Sequence, residues 1–229
     1  RYPLIRKETA MRKTCKRCLP FFLLILFLVL CPGSSVTATE INYGLKGGLS
    51  LGKVNTRPEY LVEGFPWKTK TGLVGGAFLS LEVGKGLAIQ PEVLFVQKGV
   101  RLLDEEYDFE ARFSFDYFEI PILLKIDLNL PDSVVVPSIF FGPFFGFNNQ
   151  AKVTLKEASL EETEDIKADL EKSEYGLTFG LLLTQRWGPG KFLVDIRYDL
   201  GLANILIPES GWTDTMKTRT WLFMIGYSF

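Results

Sequence analysis

From residue 41 to residue 229 the sequence repeats one pattern eight times: apolar residues at every second position, small or polar residues between them. Side chains of a β-strand alternate faces with period two, so each repeat reads as a strand with one apolar face. "INYGLKGGLSLG" sets Ile41, Tyr43, Leu45, Leu49 and Leu51 against Asn42, Lys46 and Ser50. "GLVGGAFLSLEV" sets Leu73, Ala77, Leu79, Leu81 and Val83 against Ser80 and Glu82. "GLAIQPEVLFVQK" sets Leu87, Ile89, Val93 and Phe95 against Gln90 and Glu92. "DYFEIPILLKIDL" sets Phe118, Ile120, Ile122, Leu124 and Ile126 against Glu119 and Lys125. "VVVPSIFFGPFFGFN" sets Val135, Ile139, Phe141, Phe145 and Phe147 against Ser138, Gly142, Gly146 and Asn148. "YGLTFGLLLTQRW" sets Tyr175, Leu177, Phe179, Leu181 and Leu183 against Thr178, Gly180, Thr184 and Arg186. "KFLVDIRYDLGLA" sets Phe192, Val194, Ile196, Tyr198, Leu200 and Leu202 against Asp195, Arg197 and Asp199. "TRTWLFMIGYSF" sets Trp221, Phe223, Ile225, Tyr227 and Phe229 against Thr220, Gly226 and Ser228.

The connections alternate too. Long segments lie at about 53–71, 99–114, 150–173 and 203–217; short ones lie at 83–86, 127–133 and 187–191. Long loops at one end and short turns at the other, between strands of two-sided character, are the pattern of an outer-membrane barrel. The apolar face carries almost no charge, whereas glycine, serine, threonine and the charges share the other face. An eight-stranded barrel has an interior just wide enough to be filled by side chains, which suits the small and charged face. Closure removes the open sheet edges that lipid would not tolerate. The expected fold is therefore all-β: an 8-stranded antiparallel up-and-down transmembrane β-barrel over residues 39–229, with both termini on the short-turn, periplasmic side. A soluble lipocalin-like barrel is the structural alternative, but it needs an apolar interior that the charged faces do not supply. No 18-residue apolar run follows residue 40, so no transmembrane helix is expected.

Residues 1–38 read differently. "MRKTCKRC", the apolar run "LPFFLLILFLVLC" and the small residues of "PGSSVTATE" make a secretory signal peptide, with Met11 as its start and cleavage after Ala38. A lipoprotein signal ending at Cys31 is the weaker alternative, because Leu30 stands where a small residue is usual. All three cysteines, Cys15, Cys18 and Cys31, fall in this leader. "CKRC" has metal or redox spacing, but a basic leader offers it no fold, and the mature chain is left without cysteine. The leader holds seven basic residues and one acidic, which leaves nineteen basic and twenty-six acidic in residues 39–229. A net-acidic body argues against a nucleic-acid partner.

Alternation assigns nine charges to the lumen: Lys46, Glu82, Glu92, Glu119, Lys125, Arg186, Asp195, Arg197 and Asp199. Four are positive and five negative, as a shared ion-pair network requires, since an unpaired buried charge is costly. Phe223, Tyr227 and Phe229 match the alternating aromatic ending by which outer-membrane barrels resemble one another, and so form the expected signal to the barrel-assembly machinery.

The body, about residues 41–229, resembles the PorT-like outer-membrane β-barrel family, whose members are often described only as porin-family proteins. The resemblance rests on the order and spacing of "GLKGGLSLG", "GKGLAIQPEVLFVQKG", "YFEIPILLKI", "GLTFGLLL", "DIRYDLGLANI" and "IGYSF". It implies a fold and an outer-membrane location; one member group of that family serves a protein-secretion apparatus.

The chain has no histidine, and acyl-transfer chemistry near neutral pH usually relies on one as its base. Asp195 and Asp199 flank Arg197 on one face, an arrangement of ion pairs rather than of an acid–base pair. The missing histidines and cysteines also leave only oxygen ligands for a metal. The acidic segment 156–174 lacks the glycine and spacing of a calcium loop and reads as a solvated loop. Ser159 and Glu162 have the spacing of a capping box for a short helix. "GFPW" (64–67) and "LIPESGW" (206–212) offer aromatics to the barrel mouth, the lipid interface or a partner. The reading is an integral, non-enzymatic barrel in outer-membrane lipid. It needs no cofactor or metal, and its loops carry any protein partner. A small-solute channel and a secretion-apparatus component are the alternatives.

Overall fold

The computed structural model describes residues 40–57, 67–104, 109–128, 133–157, 160–207 and 215–229. The expected signal peptide, its cysteines, Gly64–Pro66 and Pro208–Trp212 lie outside the described residues.

Nine strands form the sheet: β1 (Ile41–Arg57), β2 (Trp67–Gly84), β3 (Leu87–Asp104), β4 (Phe109–Asp127), β5 (Val135–Glu157), β6 (Leu160–Asp165), β7 (Ser173–Trp187), β8 (Gly190–Gly201) and β9 (Thr215–Ser228). Eight of them close a ring, in the order β1-β2-β3-β4-β5-β7-β8-β9, with β9 returning to pair with β1. All pairings in the ring are antiparallel. These eight are the eight alternating segments. β6 lies outside the ring and pairs with the far end of β5, from Lys152↔Asp165 to Glu157↔Leu160.

The turns at one end are tight. Gly86 (φ 73°) and Gly188 (φ 61°) take the left-handed backbone that the β2–β3 and β7–β8 turns require. At the other end the strands run further than alternation suggested. β3 continues to Asp104 and β4 starts at Phe109, so the expected 99–114 loop is mostly ladder. A transmembrane strand needs about 9–11 residues, whereas β5 has 23. In these extensions the inward face stays buried at Val100, Ala111 and Phe115, whereas the outward face carries Arg101, Glu110 and Arg112 in place of apolar residues, so the alternation fades.

The segment 156–174 also differs from its expected form. Glu162 lies in β6, and the helical turn among the described residues of this segment is a 3-10 turn at Lys167–Asp169, so no helix begins at Glu162; Ser159 lies outside the described residues. Leu170 and Glu174 of the same segment are buried. The segment is therefore an exposed hairpin strand followed by a partly buried connection, rather than a solvated loop.

The outer surface of the ring is a belt of exposed apolar side chains. Leu45, Leu73, Val93, Phe141, Leu181 and Ile225 are each more than half exposed. No soluble monomer leaves so continuous an apolar surface in water. The belt contains the residues that alternation assigned to lipid, and its extent is why closure of the ring, rather than a buried core, organises the fold.

Inside, aromatic rings pack on glycines directly across the ladder. Phe78 pairs with Gly44, Phe140 with Gly180 and Phe144 with Gly176. At each of these glycines an added Cβ would meet ring carbons 2.6–2.7 Å away, so the missing side chain gives the ring its place.

Candidate functional site

The barrel interior is layered. At the short-turn end, Phe78, Leu123, Phe140, Leu182 and Leu193 form an apolar layer across the lumen. Beyond it, four charges meet. Lys46 Nζ lies 2.6 Å from Glu92 Oε1 and 2.9 Å from Asp195 Oδ2. Arg197 Nη1 donates to Glu92 Oε2 at 2.9 Å, and its Nε donates to Asp195 Oδ1 at 3.0 Å. Gln90 Nε2 adds a donor to Glu92 at 2.7 Å. The two cations and two carboxylates close a quadrilateral fed by β1, β3 and β8. Each cation also lies over a ring: Lys46 5.3 Å from the Phe78 centroid, Arg197 4.8 Å from that of Phe140. Ion pair and ring together offset the desolvation of these charges.

A second cluster centres on Lys98. Its Nζ lies 2.6 Å from Glu119 Oε1 and 3.1 Å from Glu174 Oε1, and the Thr218 hydroxyl donates to Glu174. The rings of Phe144 and Tyr117 flank the ammonium at 4.8 and 5.3 Å. Lys98 and Glu174 were missed by sequence reading. The signal was present: position 98 continues the inward series of Gln90 and Glu92, and position 174 continues that of Thr178 and Gly180. Each falls just outside the clean apolar alternation that defined its strand.

Six of the nine charges assigned to the lumen are buried there: Lys46, Glu92, Glu119, Asp195, Arg197 and Asp199. The other three are not. Arg186 is exposed beside the β7–β8 turn, because its inward parity falls where the barrel has already ended. Lys125 pairs with Asp127 at 3.3 Å, partly buried at the short-turn mouth. Glu82 is partly buried in the wall of the same mouth. Among the described residues the buried charges are thus Lys46, Lys98 and Arg197 against Glu92, Glu119, Glu174, Asp195 and Asp199. Three cations face five carboxylates, in place of the near-balance expected.

At the long-loop end the connections fold over the opening. Leu170, before β7, bridges to Leu206, after β8. Glu171 N donates to Ile205 O at 2.8 Å, and Ile205 N to Met216 O at 2.9 Å. Leu170 and Ile205 pack on Phe115, Tyr117 and Ala151, with Val54, Ile166 and Met216 against them. Two segments that alternation left as loops are therefore stitched into an apolar cap.

On β9, Phe223 is exposed toward lipid, the Tyr227 hydroxyl donates to Trp187 O at 2.9 Å, and Phe229 stacks on Tyr43 with centroids 5.8 Å apart. Among the described residues, no three histidine, cysteine or acidic side chains are grouped as a metal would require.

A closed antiparallel ring with an apolar outer belt and charges inside defines a β-barrel membrane protein. The chain belongs to the family of outer membrane protein beta-barrel domains, whose model matches residues 34–206. The family places the protein in the outer membrane of Gram-negative bacteria. No curated protein matches the sequence. Among solved structures it is similar to Ail, the attachment invasion locus protein of Yersinia pestis, at 17% identity and a TM-score of 0.42, over 83% of this chain and 100% of that one. OprG from Pseudomonas aeruginosa is similar at 9% identity and a TM-score of 0.46, over 82% and 95% of the two chains. Neisserial surface protein A is similar at 11% identity and a TM-score of 0.42, over 82% and 97%.

Proposed function

We propose that this outer-membrane barrel is a PorT-like, non-enzymatic protein whose lumen does not conduct and whose long-loop end carries its interactions. The observation behind this reading is the double closure of the lumen. Side chains fill it at the Phe78 layer, and the stitched cap of Leu170 and Ile205 covers the far opening. Between them the charged side chains bond one another across the bore, which leaves no aligned row of groups for a passing solute. The lack of histidine in the chain, and the engagement of Glu92 and Asp195 by Lys46 and Arg197, favour a structural role for the buried charges over catalysis.

The β5–β6 hairpin favours an interaction role. All six residues of β6 are exposed, and Glu161, Glu162, Glu164 and Asp165 give it a strongly acidic surface. In this reading the termini lie in the periplasm, residues 1–38 are a cleaved signal peptide, and Phe223, Tyr227 and Phe229 are read by the assembly machinery. Service in a protein-secretion apparatus is one form the interaction could take.

Conductance of the refolded protein in planar lipid bilayers tests the closed lumen. The expected record is flat. Steady, reproducible single-channel steps would replace this reading with a small-solute channel. Cross-linking in intact cells from a photoreactive residue at position 162, compared with one at position 79 in the lipid belt, tests the interacting end. Adducts specific to position 162 are expected; identical patterns from both positions would remove the hairpin from the proposal.

A further inference from the structure

Below the apolar layer, the short-turn end of the barrel opens into a cavity of about 130 Å³. Phe78, Leu182 and Leu193 form its floor. Its wall carries charges of both signs: Glu82, Lys125, Asp127 and Lys191.

These charges differ from those deeper in the lumen. The deep pairs sit at 2.6–3.1 Å with both partners buried. Here Lys125 is 3.3 Å from Asp127, and Lys191 is 3.6 Å from Glu40, a residue more than half exposed. Among the described residues, the Glu82 carboxylate has no cation at ion-pair distance. The ladder explains why. Glu82 pairs with Ala88, and Ala88 pairs with Lys125, so a glutamate and a lysine stand on either side of one small residue. Two strand spacings, about 10 Å, separate their backbones. The Ser80 hydroxyl, also in the cavity wall, is buried to 4% exposure without a hydrogen-bond partner.

We propose that this vestibule binds a small zwitterion, a free α-amino acid with an apolar side group. The ligand's ammonium meets Glu82, its carboxylate meets Lys125 across Ala88, and its side group rests on the floor. Ser80 supplies a further hydrogen bond. The size fits: a water occupies about 30 Å³ of liquid, so the cavity takes a side group of a few carbons and leaves the charged groups at the rim. A pocket with an apolar floor and a few convergent polar groups is the usual form of a small-molecule site. Because the Phe78 layer closes the floor, the site is a dead end, and binding there does not require transport.

The test uses the refolded barrel in detergent and l-valine as the probe, read by calorimetry or ligand-observed magnetic resonance. Valinamide keeps only the ammonium, and N-acetylvaline keeps only the carboxylate. The expected result is millimolar or tighter binding of valine, with each blocked analogue at least tenfold weaker. Glu82→Gln and Lys125→Met should each weaken valine at least tenfold, whereas Lys167→Ala at the other end should not. Retention of the heat-dependent gel shift of the folded barrel confirms that each variant has folded. No binding of valine, equal binding of valine and its blocked analogues, or insensitivity to Glu82→Gln in the folded variant would each overturn the proposal.

Discussion

Arg197 and Glu92 sit on opposite strands of the ring, and their side chains meet at 2.9 Å in the middle of the lumen. Three strands separate β8 from β3 whichever way the ring is followed. The contact therefore ties the barrel across its diameter, where no backbone hydrogen bond reaches. Arg197 also holds Asp195, and it is among the largest fully buried side chains. Removing one partner of a buried ion pair leaves the other charge uncompensated, at a cost of about 3–5 kcal/mol. Arg197→Ala should lose stability of that order. Lys167→Ala, whose ammonium makes an exposed bond to Asn149 O, should stay within about 0.5 kcal/mol of the parent protein. Urea midpoints of refolded protein measure both; equal midpoints would mean that the cross-barrel contact contributes nothing.

The two charged clusters should respond differently to loss of a carboxylate. Glu92 accepts from Lys46, Arg197 and Gln90, so Glu92→Gln leaves two cations to share the single carboxylate of Asp195 and should cost about 3–5 kcal/mol. Glu119 lies within ion-pair distance of Lys98, but neither of its oxygens has a donor in hydrogen-bond geometry. Its neighbourhood also holds Glu174 and Asp199, so carboxylates outnumber Lys98 there. Glu119→Gln leaves Lys98 its bond to Glu174 and brings an amide that can donate. It should therefore stay within about 1 kcal/mol of the parent. A Glu119→Gln midpoint as low as that of Glu92→Gln would refute the unequal-cluster account.

Much of this was legible in the sequence, for a reason that also set the limit. In the membrane, one face of each strand meets lipid and the other a narrow lumen, so period two is enforced residue by residue. Lys46, Glu92, Asp195 and Arg197 fall inward by parity alone. Parity carries no information about depth, however. Arg186 has the right face and the wrong height, whereas Lys98 and Glu174 are at the right height but lie just outside the clean apolar runs. The cap escaped for another reason. Leu170 and Ile205 lie in irregular segments without strand or helix periodicity, and only the bridge between two sequence-distant connections makes them a layer.

The aromatic–glycine pairs predict a steric asymmetry between the two faces. A Cβ at Gly180 would lie 2.4 Å from Ile196 O and 2.6 Å from the Phe140 ring. Gly180→Ala should force the ring or β8 to move, costing about 1–3 kcal/mol. Gly47 lies on the outward face, where the nearest atom to an added Cβ is 3.5 Å away. Gly47→Ala should be neutral, or stabilising by about 0.5 kcal/mol through the backbone freedom it removes from the unfolded chain. Thermal or urea unfolding of the two variants decides it, and equal losses would show that space in the lumen is not what selects glycine at 180.

Phe229 separates assembly from stability. It closes the last pairing of the ring, with its backbone N donating to Tyr43 O at 2.8 Å, a bond that any residue but proline can make. Its ring is 59% exposed, stacked on Tyr43 at 5.8 Å and edge-on to Tyr227 at 5.1 Å. Burying a whole large apolar side chain is worth about 1.5–3 kcal/mol, so this partial contact is worth less. Phe229→Ser should therefore lower the urea midpoint in detergent only slightly. Recognition of the aromatic by an insertion machine depends on the ring itself, not on its contribution to the finished barrel. If Phe229 serves that recognition, the same variant should insert into outer membranes, or into liposomes carrying the assembly machinery, several-fold more slowly than the parent. Folding into liposomes without the machinery should change little. An unchanged rate with the machinery present would remove Phe229 from the assembly signal, and an equal slowing in its absence would assign the effect to strand closure instead.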